Sequence, residues 1–135
     1  MKMGAPGRFP VVTLAWTAAL GLLGGCSAEP SSPTGATLEI NLATPAQDDG
    51  AVLFTVMGGP IDSVESAGHA LYSSRPEANT LQVIVTGNLS AGTIARIHIA
   101  DERLVAQYSA TINQVAARTT YAQRDPGAYS LTLTP

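Results

Sequence analysis

The 135-residue chain is poor in most of the residue types that bind or react. Cys26 is its single cysteine, so no disulfide can form within one chain and multi-cysteine metal frameworks are closed to it. Its single lysine is Lys2, which removes Schiff-base and phosphate-loop lysine chemistry from everything downstream, and no glycine-rich nucleotide fingerprint appears. Charged residues make up 13% of the chain and aromatic ones 5%, too few for a basic surface interleaved with stacking rings. Beyond residue 25, five scattered arginines stand against ten acids, a formal charge of −5, which argues against nucleic acid as a partner. No apolar run reaches the roughly 20 residues that a bilayer span requires.

What the chain does have begins at its start. Lys2 and Arg8 precede an apolar stretch from Phe9 to Leu23, and small residues follow, the layout of a secretory signal over residues 1–25. The segment Leu23-Gly24-Gly25-Cys26 resembles the signal of bacterial lipoproteins: an aliphatic residue, two small residues and a cysteine. That resemblance implies a diacylglyceryl group on the Cys26 thiol, cleavage before it, and acylation of the new amino terminus. Two or more chains, each methylene contributing about 0.8 kcal/mol, would hold the protein to a membrane. Ser27 after the cysteine resembles sorting to the outer membrane in a cell with two, and otherwise to the outer face of the cell membrane. Residues 26–36, rich in Ser and Pro, bury too little to order themselves and are expected to form a mobile tether.

From Thr37 the pattern alternates with a period of two, the mark of half-buried strands. Leu38, Ile40 and Leu42 point one way; Val52, Phe54 and Val56 follow the Asp48-Asp49-Gly50 turn signal. Ile61–Ser66 and His69–Ser73 are shorter candidates, the second ending at the Arg75-Pro76 breaker. Leu81, Val83 and Val85 alternate with Gln82, Ile84 and Thr86, then Ala95, Ile97 and Ile99 with Arg96 and His98. The longest alternation, Leu104 to Ile112, predicts a strand with Tyr108 inward. Val115–Arg124 reads as a polar connection with one candidate core tyrosine, Tyr121, and Tyr129, Leu131 and Leu133 form a last strand. No helix is expected. Seven or eight strands at this spacing predict an all-β, antiparallel β-sandwich of jelly-roll or immunoglobulin-like type over 37–135, with a small closed barrel as the alternative.

Within this stretch, Gly50–Val56, Val64-Glu65, Asn79–Val85 and Ala91–Ile99 together resemble the central strands of cohesins and related carbohydrate-binding-module sandwiches of bacterial exported proteins. The resemblance implies a jelly-roll-like sandwich and an interaction role. The folded region is shorter than a whole cohesin, so it carries over no binding residue.

Candidates for chemistry are sparse. Ser63 and Ser66 lie near Asp62 and His69, without the Gly-x-Ser-x-Gly elbow, and read as a turn decorated with polar residues. His98 alternates outward. Neither histidine spacing nor cysteine supports zinc. The pairs Asp48-Asp49 and Asp101-Glu102 fall at expected loop positions where calcium, an oxygen-seeking ion, could bind, but they lack the alternating acidic pattern of a calcium loop. With Phe54, Tyr108 and Tyr129 assigned inward, Tyr72 and Tyr121 are left as candidate ligand-binding aromatics, with Arg75 and Arg124 nearby, unless they cap the core. Asn88-Leu89-Ser90 matches a glycosylation tripeptide and reads as a turn.

The sequence thus predicts an exported, lipid-anchored envelope protein whose single domain needs no cofactor and binds a protein or a polysaccharide without catalysis. An envelope hydrolase and a purely structural envelope component are the alternatives.

Overall fold

Nine strands and two short 3₁₀ turns account for residues 31–135, the part of the chain that the structure, a computed structural model, describes. Cys26 and the expected signal and lipid anchor lie outside the described residues. The strands are β1 (Ala36–Ala43), β2 (Asp49–Met57), β3 (Ser63–Ser66), β4 (Ala70–Glu77), β5 (Thr80–Leu89), β6 (Gly92–Ile99), β7 (Ser109–Ala117), β8 (Gln123–Arg124) and β9 (Ser130–Thr134). They form two antiparallel sheets, ordered β3-β6-β1-β9 and β4-β5-β2-β7-β8. The fold is therefore an open two-sheet sandwich rather than a closed barrel.

The period-two pattern explains the packing. Leu38, Ile40 and Leu42 of β1 and Ile97 and Ile99 of β6 meet Val52, Phe54 and Val56 of β2 and Leu81, Val83 and Val85 of β5 in one buried cluster. Apolar surface removed from water contributes roughly 25 cal/mol per Å², and Phe54, fully buried at the centre, is the largest single contributor.

Four sequence expectations are corrected. Leu104–Gln107 is not strand: Glu102–Gln107 is a 3₁₀ turn, because the Asp101 carboxylate accepts the Arg103 N–H and so caps a helical start. Tyr108 and β7 then resume the predicted phase. Val115–Arg124 is not a loop, since β7 continues to Ala117 and β8 pairs with it. A β-bulge is the cause: Leu53 pairs with Gln114 and Phe54 with Ile112, so Asn113 is the extra residue and the inward phase shifts by one. Val115 and Ala117 consequently point into the core, where unbroken alternation would have aimed Gln114 and Ala116. Arg75-Pro76 does not end its strand. β4 is a sheet edge, where a proline lacking an N–H is tolerated, and the pairing shifts register between Ser74 and Glu77. Finally, the end of the expected tether is held: the Thr34 carbonyl accepts the Glu102 N–H at 2.8 Å, and β1 begins at Ala36.

Candidate functional site

The outer face of the five-stranded sheet carries four cross-strand rows; one, Glu77–Thr80–Met57–Ser109, holds a carboxylate, and the other three are uncharged. In these three, strand registers align Ala70–Thr86–Ala51–Ala116, then Tyr72–Ile84–Leu53–Gln114, then Ser74–Gln82–Thr55–Thr111. None of these twelve positions holds Asp, Glu, Lys, Arg or His. The bulge adds Asn113 to the same face, where its Oδ1 accepts the Thr55 hydroxyl at 2.8 Å. A shallow trough over Leu53 and Ile84 begins beside Tyr72, which is 69% exposed. It runs on over Ala51 and Ala116 into a deeper groove of about 450 Å³ walled by Arg118 and Tyr121.

That deeper end follows from local chain geometry. Gly50 permits it: a Cβ there would lie 2.5 Å from the Arg118 Cα, so only glycine lets the β7–β8 turn cross the start of β2. The Arg118 N–H donates to the Asp48 carbonyl at 2.7 Å, and the Ala117 N–H donates to the Ala122 carbonyl at 2.9 Å, closing the turn. Tyr121 takes φ +56°, a left-handed conformation that costs a residue with a Cβ about 1–2 kcal/mol. Its ring is 81% exposed. Small residues, among them Gly50, Ala51, Gly87 and Ala116, keep the floor low.

Beneath this end lies a buried polar cluster. Asp49 is fully buried yet ionisable; its carboxylate accepts the Tyr129 hydroxyl at 2.8 Å and the Thr44 hydroxyl at 2.5 Å. Arg124 reaches in from β8, donating to Asp48 and approaching Asp49 at 3.6 Å. Burial works against the Arg124 charge, but Asp48, Tyr129 and Asp49 together outweigh it and hold its pKa above the ordinary arginine value. Burial first, then the Asp49 carboxylate, pushes the Tyr129 hydroxyl above its ordinary range. Tyr108, at the opposite end of the core, donates to the Pro60 carbonyl at 2.5 Å, and burial raises its pKa likewise.

The residues singled out from sequence separate cleanly. Tyr72 and Tyr121 are both surface aromatics on the margins of one face, and neither caps the core. The acidic pairs are not open loop ligands. Asp49 stands inside β2, Asp48 is paired with Arg124, and Asp101 caps a turn while gripping Arg103 through both carboxylate oxygens. That grip, chiefly the side-chain hydrogen bond, lowers the Asp101 pKa. Glu102 begins the same turn, exposed. Among the described residues no three His, Cys, Asp or Glu side chains gather as a metal ion would require. The Ser66 hydroxyl is committed to the main chain of His69, and the imidazole Nδ1 of His69 lies against Gly87. His98 is on the outer face of the other sheet, bonded to Thr37 at 2.9 Å and 3.5 Å from Glu65. Arg118 was not legible as a site residue, because it lies within Val115–Arg124, read as a polar connection. Gly50, Ala51, Gly87, Ala116 and Ala117, five small residues, were the available signal of a low floor, but only sheet register brings these segments together.

Compared with protein-family models, curated proteins and solved structures, the chain matches none of them.

Proposed function

We propose that the chain is a lipid-anchored cell-envelope protein whose sandwich is a non-catalytic binding module, and that its ligand is a polysaccharide laid across the outer face of the five-stranded sheet. One observation carries this reading. A face with no charged side chain in three of its four rows has exposed tyrosines at two of its margins, Tyr72 on β4 and Tyr121 in the turn beyond β7. Rings stack on sugar faces through apolar and C–H contact, and the amides of Gln82, Asn113 and Gln114 with the hydroxyls of Ser74, Thr55 and Thr86 suit sugar hydroxyls along the way. A protein partner would more commonly meet a larger apolar patch with aromatic and Arg anchors at its centre. Export and anchorage rest on the Leu23–Cys26 segment.

Affinity electrophoresis of the full processed protein through gels cast with different polysaccharides tests the ligand. Retardation by at least one glycan, reduced in Tyr72→Ala and Tyr121→Ala, is expected; retardation by none, or by several with both variants unaffected, overturns the reading. Intact-mass measurement of the membrane-extracted protein tests the anchor: a diacylglyceryl adduct on a chain beginning at Cys26 is expected, and a bare thiol there removes that part.

A further inference from the structure

We infer that the groove between Arg118 and Tyr121 is a subsite for a carboxylate-bearing sugar, so that the polysaccharide is acidic, with uronate as its charged unit. The inference rests on the polysaccharide reading above and adds the chemistry of one end of the site. Arg118 is distinctive among the described arginines. Arg96, Arg103 and Arg124 are each paired with a carboxylate, and Arg75 donates to the Asp62 carbonyl, whereas the Arg118 guanidinium has neither kind of partner among the described residues. It is also the one charged side chain lining the groove. In a chain with twice as many acids as bases beyond residue 25, a cation with no anion paired to it among the described residues, beside an open groove, is charge complementary to an anionic ligand. Asp48, whose backbone carbonyl accepts the Arg118 N–H, has its carboxylate already paired with Arg124.

The shape selects a ring rather than a small ion. The groove's floor of glycine and alanine residues leaves about 450 Å³, bounded on one side by the exposed Tyr121. A sugar ring lying on that floor can stack on Tyr121 and turn a ring carboxylate toward Arg118, whose planar fork donates to two carboxylate oxygens at once. A backbone held at φ +56° for a tyrosine, where glycine or asparagine would be relaxed, is strain that this ring position retains. The neutral rows beyond Ala51 then carry the chain's flanking sugars toward Tyr72.

The test uses the full processed protein with polygalacturonate, alginate and hyaluronan, each beside its carboxyl-reduced form, by affinity electrophoresis and calorimetry. At least one uronate polymer should bind, at least tenfold more tightly than its reduced form and progressively more weakly as salt rises. Arg118→Gln should remove that preference, so that the acidic and reduced forms bind this variant equally, and Arg118→Lys should restore part of it. Tyr121→Ala should weaken both forms. Equal binding of acidic and reduced forms, or an Arg118→Gln protein that keeps the preference, overturns the acidic subsite while the polysaccharide reading stands. If neutral and acidic glycans alike fail to bind, both fall. Arg118→Gln keeps the Cβ that packs over Gly50, and an unchanged unfolding midpoint confirms that a lost preference is not lost fold.

Discussion

The two outer faces of the sandwich solve the same problem in opposite ways. On the four-stranded sheet, polar side chains pair with one another: Arg96 with Glu39 at 3.2 Å, His98 with Thr37 and Glu65, and Thr93 with Asn41, which donates in turn to Thr134. The register sets Glu39, Arg96 and Glu65 side by side across three strands, an alternation of charge that satisfies itself. On the five-stranded sheet three of the four outward rows are uncharged, holding amides, hydroxyls, apolar residues and the exposed Tyr72, with Tyr121 in the turn beside them; among the described residues Thr55–Asn113 is the side-chain bond made within them. A face whose polar groups are already bonded gains little from a ligand. One whose donors and acceptors await partners, and whose aromatic rings are uncovered, gains more, and this contrast is what makes the five-stranded face the binding candidate.

The largest break in that contrast comes from below the neutral face. Its charge is hidden in Asp49, whose carboxylate holds Tyr129 and Thr44 and stands near Arg124. Asp49→Ala leaves the buried Tyr129 hydroxyl without its acceptor and the Arg124 Nε, already without a hydrogen bond, still more isolated. A loss of about 3 kcal/mol in chemical-denaturation stability is expected. Asp49→Asn, which can still accept, should lose less; equal losses for the two would show that the cluster is packing rather than hydrogen bonding.

Charging the neutral face is the next test. Leu53 lies mid-row between Ile84 and Gln114, half-buried. Leu53→Glu should cut glycan affinity tenfold or more, about 1.4 kcal/mol, through repulsion of an acidic chain and lost contact. The same exchange at Thr37 on the paired face should leave affinity alone, and a matching loss there would dissolve the distinction between the faces.

Tyr121 tests strain against use. Tyr121→Asn places a residue that tolerates φ +56° in the turn, so stability should rise by up to about 1 kcal/mol while binding falls. A variant that is both more stable and equally tight would deny the ring any role.

What the sequence disclosed, and what it concealed, follows the same physics. Alternation exposed Leu38–Leu42, Val52–Val56 and Leu81–Val85, because a sheet with one buried face must repeat every two residues. It lost phase at Asn113, since an extra residue in one strand becomes visible only against its partner. Tyr72 was legible as an aromatic with no inward phase, whereas Tyr121, readable as a core residue as well as a surface one, is 81% exposed. Asp49 was hidden because Asp before Gly reads as a turn, while its acceptor role depends on Tyr129, 80 residues away. Arg118 needed Gly50 beneath it, another long-range contact.

Alkaline titration reaches the two tyrosines that the core encloses. Both Tyr108 and Tyr129 have raised pKa values in the fold, so the folded state holds their protons more tightly than the unfolded one. Stability from this source is whole below about pH 10, the unfolded value, and is lost as pH rises through the higher folded values. Denaturation midpoints should therefore fall steeply above that point, and Tyr129→Phe should flatten part of the slope; an unchanged slope in both Tyr108→Phe and Tyr129→Phe would exclude these hydroxyls as its source.

The smallest effect belongs to the paired face. Arg96 and Glu39 are each more than a third exposed, and such pairs are screened by water and salt. Arg96→Gln should lower stability by no more than about 1 kcal/mol, less at high salt, and should leave affinity for every glycan unchanged. Because Arg96 is a positive charge on a sheet face, just as Arg118 is beside one, the comparison is demanding. If removing Arg96 weakened uronate binding as much as removing Arg118, attraction would come from the overall charge of the domain, and no particular face would be the site. If only Arg118 matters, the decisive property is a cation beside a groove with no anion paired to it among the described residues, since Arg96 is already engaged by Glu39.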